Sequence, residues 1–257
     1  MSLIPKLLQQ CAYDFPKPFE LEQQGRLDEH GLICIGGDLS PSSLVYAYYH
    51  GMFPWFNTGE PIYWWSPEPR CVIYPKQYQP SKSLVRNIKK QDYLLRIDYD
   101  FEQVIQNCAA PRNYSQDTWI GSSMIDSYIA LHRLGLAHSI EIWQKNIDGE
   151  KMIGGLYGVN LGSGFFGESM FHKVTDASKM AFFALMMLAK RENCPWVDGQ
   201  LENPHLISLG ASLISRYDFL HDLQQTVNLE CVDWKKYQHQ DFNLKQCLEN
   251  IKFMHNE

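Results

Sequence analysis

The clearest pattern of apolar and polar positions lies in the second half of the chain. Ser139–Gln144 and Met152–Asn160 read as two strands joined by a turn at Asn146-Ile147-Asp148-Gly149. Gly162-Ser163-Gly164 makes a second turn, into a third strand at Phe165–Met170. The next block, Asp176–Arg191, is apolar nearly all round and predicts a buried helix. Pro195–Asp198 is a strand emerging from it. Asn203-Pro204 caps a short helix that Gly210 ends, and Ile214–Tyr217 is expected to close the sheet. Upstream, Leu32–Ile35 is a strand that turns out through Gly36-Gly37-Asp38-Leu39. Ser40 and Pro41 then start a helix that reaches Tyr49 or His50 and stops at Gly51. Cys71–Tyr74 and Tyr93–Ile97 are strands. Ser81–Lys90, Phe101–Ala109 and Ser122–Leu134 are helices, the last capped by Ser122 and stopped by Gly135. Tyr114–Trp119 is a polar loop. Hairpin, third strand, buried helix and further strand predict an α+β or α/β lobe from about residue 71 onward. No repeat interrupts it, and the tail from about 227 receives no role.

One stretch obeys neither period. Tyr48–Arg70 carries Tyr48, Tyr49, Phe53, Trp55, Phe56, Tyr63, Trp64 and Trp65 among four prolines and two glycines. Proline fixes φ and restricts the residue before it, so this stretch forms a stiff loop rather than a long helix. Its rings either plug a seam or offer flat faces to nucleobases or apolar side chains.

Composition narrows the class. Apolar residues make up 45% and charged residues 20% of the 257, the profile of a globular protein with a sizeable core. A net charge of −6, from 23 basic and 29 acidic residues, excludes broad non-specific binding to nucleic acid. It leaves room for a local patch: Lys82, Arg86, Lys89 and Lys90 share one face of their predicted helix. The seven cysteines are scattered without a Cys-x-x-Cys pair, and the nine histidines have no metal spacing, so no disulfide framework and no metal are expected. The longest apolar run, Met180–Ala189, is half a membrane span, and the N-terminus lacks the profile of a signal peptide. A cytoplasmic location without membrane insertion is expected.

Two adjacent strands end in polar groups. Glu168 is expected at the end of one, in Gly167-Glu168-Ser169-Met170-Phe171. Asp198 and Gln200 end the next, on one face if the run stays extended through Gly199. Either carboxylate alone is more readily a paired buried group or a cap; together, beside an amide, they suit proton handling or the binding of an amine. Ser169 in a half-formed Gly-x-Ser-x-Gly lacks the second glycine that a nucleophile elbow needs. Gly154-Gly155-Leu156-Tyr157-Gly158 sits in a strand pattern with no helix after it and is not read as a phosphate cradle.

These motifs resemble a known family. Gly36-Gly37-Asp38-Leu39-Ser40-Pro41, Gly51-Met52-Phe53-Pro54-Trp55-Phe56 and Trp64-Trp65-Ser66-Pro67-Glu68-Pro69-Arg70 closely resemble the bacterial leucyl/phenylalanyl-tRNA–protein transferases. So do Thr118-Trp119-Ile120, His138-Ser139-Ile140-Glu141, Gly167–Phe171, Asp198-x-Gln200 and Ser208-Leu209-Gly210-Ala211, and the likeness spans about residues 25–223. It implies a small N-terminal α/β domain (1–70) followed by a GNAT-like acyltransferase domain (71–257), α+β overall, used without acyl-CoA or any other cofactor. It further implies transfer of leucine or phenylalanine from aminoacyl-tRNA to proteins with an N-terminal Arg or Lys, which marks them for N-end rule degradation. By the same resemblance, Tyr48, Trp55, Trp119 and Tyr128 line the site of the terminal adenosine, and Leu156, Phe165, Phe182 and Val197 form the aminoacyl side-chain pocket. A further pocket position, aromatic in the family, falls on Ala189, which leaves the preference among Leu, Phe and Met open. Glu168, Asp198 and Gln200 match the catalytic positions, with Gln200 oriented by Asp198. Lys82, Arg86, Lys89 and Lys90 match a basic helix that contacts tRNA phosphates. The competing readings are a CoA-dependent GNAT-type N-acyltransferase and a non-catalytic module that binds an RNA end.

Overall fold

A computed structural model describes residues 3–111, 119–147 and 149–254. Of the polar loop expected over Tyr114–Trp119 only Trp119 is among them, and Thr118 and Asp148 also lie outside the described residues. The chain begins with two helices, α1 (Leu3–Gln10) and α2 (Pro18–Gln23), then strand β1 (Leu32–Ile35) and helix α3 (Pro41–Tyr49). The start of α3 follows its local chemistry. Ser40 Oγ accepts the Ser43 N–H at 3.3 Å, Pro41 sits in the first turn, and Gly51 at φ +82° leads the chain away. The aromatic stretch follows as β2 (Phe53–Pro54) and β3 (Tyr63–Trp65), which with β1 make a three-stranded antiparallel sheet in the order β1-β3-β2.

The remaining elements are β4 (Arg70–Ile73), α4 (Lys82–Lys90), β5 (Tyr93–Ile97), α5 (Phe101–Ala109), α6 (Ser122–Arg133), β6 (Ala137–Asn146), β7 (Gly149–Leu161), β8 (Gly164–His172), α7 (Ala177–Arg191), β9 (Val197–Gln200), α8 (Pro204–Ser208), β10 (Ser212–Ile214), α9 (Arg216–Thr226), a short 3₁₀ turn (Trp234–Tyr237), β11 (Phe242–Asn243) and α10 (Leu244–Met254). Eight strands form one sheet in the order β10-β4-β9-β8-β7-β6-β5-β11. Every pairing in it is antiparallel except β8 with β9. A parallel pair needs a crossover, and α7 supplies it.

Side chains of the central strands alternate between two cores. Tyr157, Phe166 and Trp196 point to the face shared with α3, α5, α6 and α9, where Leu44, Trp64, Val104 and Leu223 pack. Leu156, Phe165 and Val197 point to the opposite face, against α7, α4 and α10. The first core thus runs across the division expected near residue 70. Gly154 lets α7 reach the sheet: a Cβ there would lie 2.6 Å from Ala177 Cβ, which gives the glycine-rich stretch of β7 a packing role.

Four local expectations change. The residue flanking α6 is Gly121, and Ser122 is already helical. The edge strand ends at Ile214, because Ser215 caps a new helix by accepting the Asp218 N–H at 3.0 Å. Glu168 lies inside β8 rather than at its end. Gln200 takes φ +62°, so the extended alternation with Asp198 is broken.

Candidate active site

The parallel pair β8/β9 is short. It joins only Phe165 with Val197 and Phe166 with Asp198; past these the two strands part. A cavity of about 1050 Å³ opens there, lined by Gly167–Lys173 of β8 and the residues just after it and by Val197–Leu201 of β9 and the turn after it. Ligands of open sheets collect at such splits.

Two register irregularities aim the polar groups. In β7/β8 the partners step from Gly158↔Gly167 to Tyr157↔Ser169, leaving Glu168 as the extra residue of a bulge. In β4/β9 they step from Val72↔Asp198 to Cys71↔Gln200, leaving Gly199 over. Bulges bend a strand and re-aim its side chains. Here both turn polar groups toward the split, and the Gln200 amide donates from Nε2 to Glu168 Oε1 at 2.7 Å.

Glu168 has two further partners. The Tyr48 hydroxyl meets Oε1 at 2.7 Å and the Tyr128 hydroxyl meets Oε2 at 2.9 Å, while the two hydroxyls also meet each other. Burial pushes the Glu168 carboxyl up to about 7, against the hydrogen bonds from Tyr48, Tyr128 and Gln200, with the Asp198 charge adding to the rise. Burial first, then the Glu168 charge, raise Tyr48 and Tyr128 well above the ordinary phenol value, so both stay protonated.

Asp198 sits in the opposite environment. Arg70 grips it with two parallel bonds, Nε to Oδ1 at 2.9 Å and Nη2 to Oδ2 at 2.6 Å, and both side chains are wholly buried. Arg70 also donates to the Gly51 carbonyl at 3.2 Å and lies between the rings of Phe53 and Phe219. Asp198 Oδ1 accepts the Gln200 backbone N–H at 2.8 Å. The orientation expected of Asp198 therefore reaches Gln200 through its backbone, and it holds the left-handed conformation that lets the amide face Glu168. Arg70 was not singled out from the sequence. Its signal was an arginine leading directly into the apolar strand Cys71-Val72-Ile73, where a buried guanidinium needs a carboxylate.

The other candidates separate by position. Leu156, Phe182 and Val197 line one wall of the cavity together with Ile73 and Leu185. Phe165 does not line it; the ring packs on Trp234 at 5.6 Å. Ala189 is buried one turn beyond Leu185, away from the lining. Trp55, 44% exposed, and Trp119 line the cavity as well. Tyr48 and Tyr128 are fully buried and present no open ring face; they reach the site through their hydroxyls. Ser169 lines the cavity, and no His, Asp, Glu or Lys among the described residues bonds its hydroxyl. Lys82, Arg86, Lys89 and Lys90 are all exposed on α4 and form no ion pair among the described residues. That helix is tied to the start of α7 by Asn87 and Asp176, two residues before cavity-lining Ser178. Among the described residues no group of three or more His, Cys, Asp or Glu side chains is placed to hold a metal, and no helix is long and apolar enough to cross a membrane.

Comparison with known proteins converges on one family. The family model described as leucyl/phenylalanyl-tRNA protein transferase matches residues 72–224, and that of its N-terminal domain matches residues 37–68. A leucyl/phenylalanyl-tRNA–protein transferase of Psychrobacter cryohalolentis is 45% identical over 239 residues, covering 88% of this chain and 85% of that one. One of Legionella pneumophila (strain Corby) is 46% identical over 215 residues, covering 84% of this chain and 92% of its own. Among solved structures, FemX covers 82% of this chain and 70% of its own at 11% identity, with a TM-score of 0.44. The chain belongs to the leucyl/phenylalanyl-tRNA protein transferase family.

Proposed function

We propose that the chain moves leucine or phenylalanine from aminoacyl-tRNA to the α-amine of a protein that begins with Arg or Lys. The observation that carries this reading is the meeting of three surfaces at the β8/β9 split: an apolar wall, two tryptophan faces and the Glu168–Gln200 pair. The aminoacyl ester is already activated, so the protein need only position an amine of pKa about 8 and assist the loss of its proton. Gln200 spends an N–H on Glu168, and no protein donor among the described residues reaches its Oε1, which is free to accept from the incoming amine. Glu168 anchors the cationic side chain of the acceptor. Asp198, saturated by Arg70 and the Gln200 N–H, acts by positioning rather than as a base.

Leu156, Phe182, Leu185 and Val197 take the aminoacyl side chain, with roughly 0.8 kcal/mol gained per buried CH₂ favouring Leu and Phe over small or charged residues. Trp55 and Trp119 stack the terminal adenosine. Lys82, Arg86, Lys89 and Lys90 meet phosphates of the acceptor stem. The β8–α7–β9 unit, parted beyond its two paired positions, supports a GNAT-like core used without acyl-CoA. The product is a cytoplasmic protein with a new apolar N-terminus, a signal for N-end rule degradation.

The test is transfer of labelled phenylalanine from Phe-tRNA to a peptide starting with Arg, beside one starting with Ala and beside a reaction given acyl-CoA instead of tRNA. Label is expected on the Arg peptide from Phe-tRNA alone. Transfer from acyl-CoA would establish the CoA-dependent reading in its place, and bound tRNA without transfer would leave a binding module.

A further inference from the structure

Three oxygen pairs close a ring in the floor of the site: Tyr48 with Glu168 Oε1, Tyr128 with Glu168 Oε2, and Tyr48 with Tyr128. A hydrogen bond needs one proton, and two phenols supply two. An ionised Glu168 therefore leaves one of the three contacts as bare lone pairs facing each other. A protonated Glu168 completes the count. Oε1 already accepts from Gln200, so the proton belongs on Oε2, donated to Tyr128; Tyr128 then donates to Tyr48, and Tyr48 to Oε1. Burial favours the same state, since the carboxyl is pushed up to about 7.

The groups that face Glu168 are Tyr48 of α3, Tyr128 of α6, Tyr157 of β7, and Asp198 and Gln200 of β9, with Arg70 of β4 behind Asp198. The one cation among these described residues is spent on Asp198. Lys173, His172 and His205 line the same cavity, but among the described residues none of them bonds Glu168, so no described cation is in contact with its carboxyl.

We infer that the Tyr48–Tyr128–Glu168 ring holds a proton while the site is empty and releases it when a cationic acceptor residue binds. The inference rests on the reading of Glu168 as the acceptor's anchor. Tyr48 and Tyr128 are positioning residues that make the carboxyl tolerable in both forms: a closed ring when it is protonated, two hydroxyl donors when it is charged. One O–H bond breaks at Oε2 and one forms on a solvent water that takes the proton, as the guanidinium or ammonium replaces it as the carboxylate's partner. A neutral side chain leaves the proton in place, so only an acceptor that carries a cation charges the carboxyl.

Infrared difference spectroscopy of the full chain at pH 6, without tRNA, tests this. Wild type is expected to show the carbonyl band of a protonated carboxyl that Glu168→Gln lacks, and to lose it on saturation with an Arg-starting peptide but not with an Ala-starting one. Absence of that band in the free protein would overturn the ring. A band that persists under saturating Arg peptide would overturn its release, while the transfer assay separately reports whether the enzyme reading stands. Tyr48→Phe and Tyr128→Phe each remove one charge-assisted donor from the carboxylate, whereas the protonated form can still bond the remaining hydroxyl. The titration midpoint of the band is expected to move to higher pH in both variants, and an unchanged midpoint in both would reduce the tyrosines to packing.

Discussion

Glu168 and Asp198 are carboxylates on neighbouring strands, bracketing the same split in the sheet, yet the structure treats them in opposite ways. Asp198 has a guanidinium on both oxygens and is wholly buried. Glu168 has two phenols and an amide, all neutral. Burial raises the energy of any charge, and what decides the outcome is the charge of the partner. The first environment makes a fixed strut and the second a group whose charge changes near neutrality. Two acidic residues of one site are thus assigned different work by the neighbours that folding brings to them.

The strut is the place where the contrast breaks most severely. Arg70→Met leaves Asp198 buried without a counter-charge and is expected to cost about 3–5 kcal/mol of stability by denaturant titration. Replacing both partners, Arg70→Met with Asp198→Leu, is expected to recover most of that stability without restoring transfer. A gain of activity in the double variant would refute the account of Asp198 as the holder of Gln200. Gln200→Ala keeps the strut and removes the amide; transfer to an Arg peptide is expected to fall roughly a hundredfold or more, with the melting temperature little changed.

The contrast sharpens with pH. The Glu168 carboxyl is raised in the folded state above its unfolded value, so the native protein binds that proton more tightly. Its stabilising contribution is complete below about 4.5 and is lost as pH rises through about 7. Wild type should therefore lose melting temperature relative to Glu168→Gln between pH 5 and 8. A pH-independent gap between the two would contradict the raised value. The smallest effects belong on the surface. Lys82→Ala, Arg86→Ala, Lys89→Ala and Lys90→Ala should each lower the salt slope of tRNA binding by about one and leave stability within about 0.5 kcal/mol. Unchanged salt slopes would remove α4 from the tRNA interface.

Much of this was legible because it is written locally. The Ser40-Pro41 cap, the glycines that end α3 and α6, the β6/β7 hairpin and the all-apolar α7 each announce themselves within one short stretch of chain, and the structure forms all of them. The Ser215-x-x-Asp218 cap is equally local, and it ends the strand expected over Ile214–Tyr217. Glu168, Asp198 and Gln200, expected at one rim, lie together at the split, and Trp55, Trp119, Leu156, Phe182 and Val197 line the cavity beside them. Tyr48 and Tyr128 were found as residues but not for their hydroxyls. Burial of a ring depends on α3, α6 and β8 meeting, which no window of sequence contains.

Residue type and spacing therefore determined most of the elements between about residues 71 and 210, and the motif likeness pointed to the family, because caps, turns and apolar periods act over a few neighbours. Three things waited for the tertiary structure. They are the bulges that turn Glu168 and Gln200 toward one another, the pairing of Arg70 with Asp198 across 128 positions of chain, and the ring that carries the Glu168 proton. Each depends on which strand lies beside which and on how little water reaches between them. Both are properties of the packed sheet rather than of any one strand.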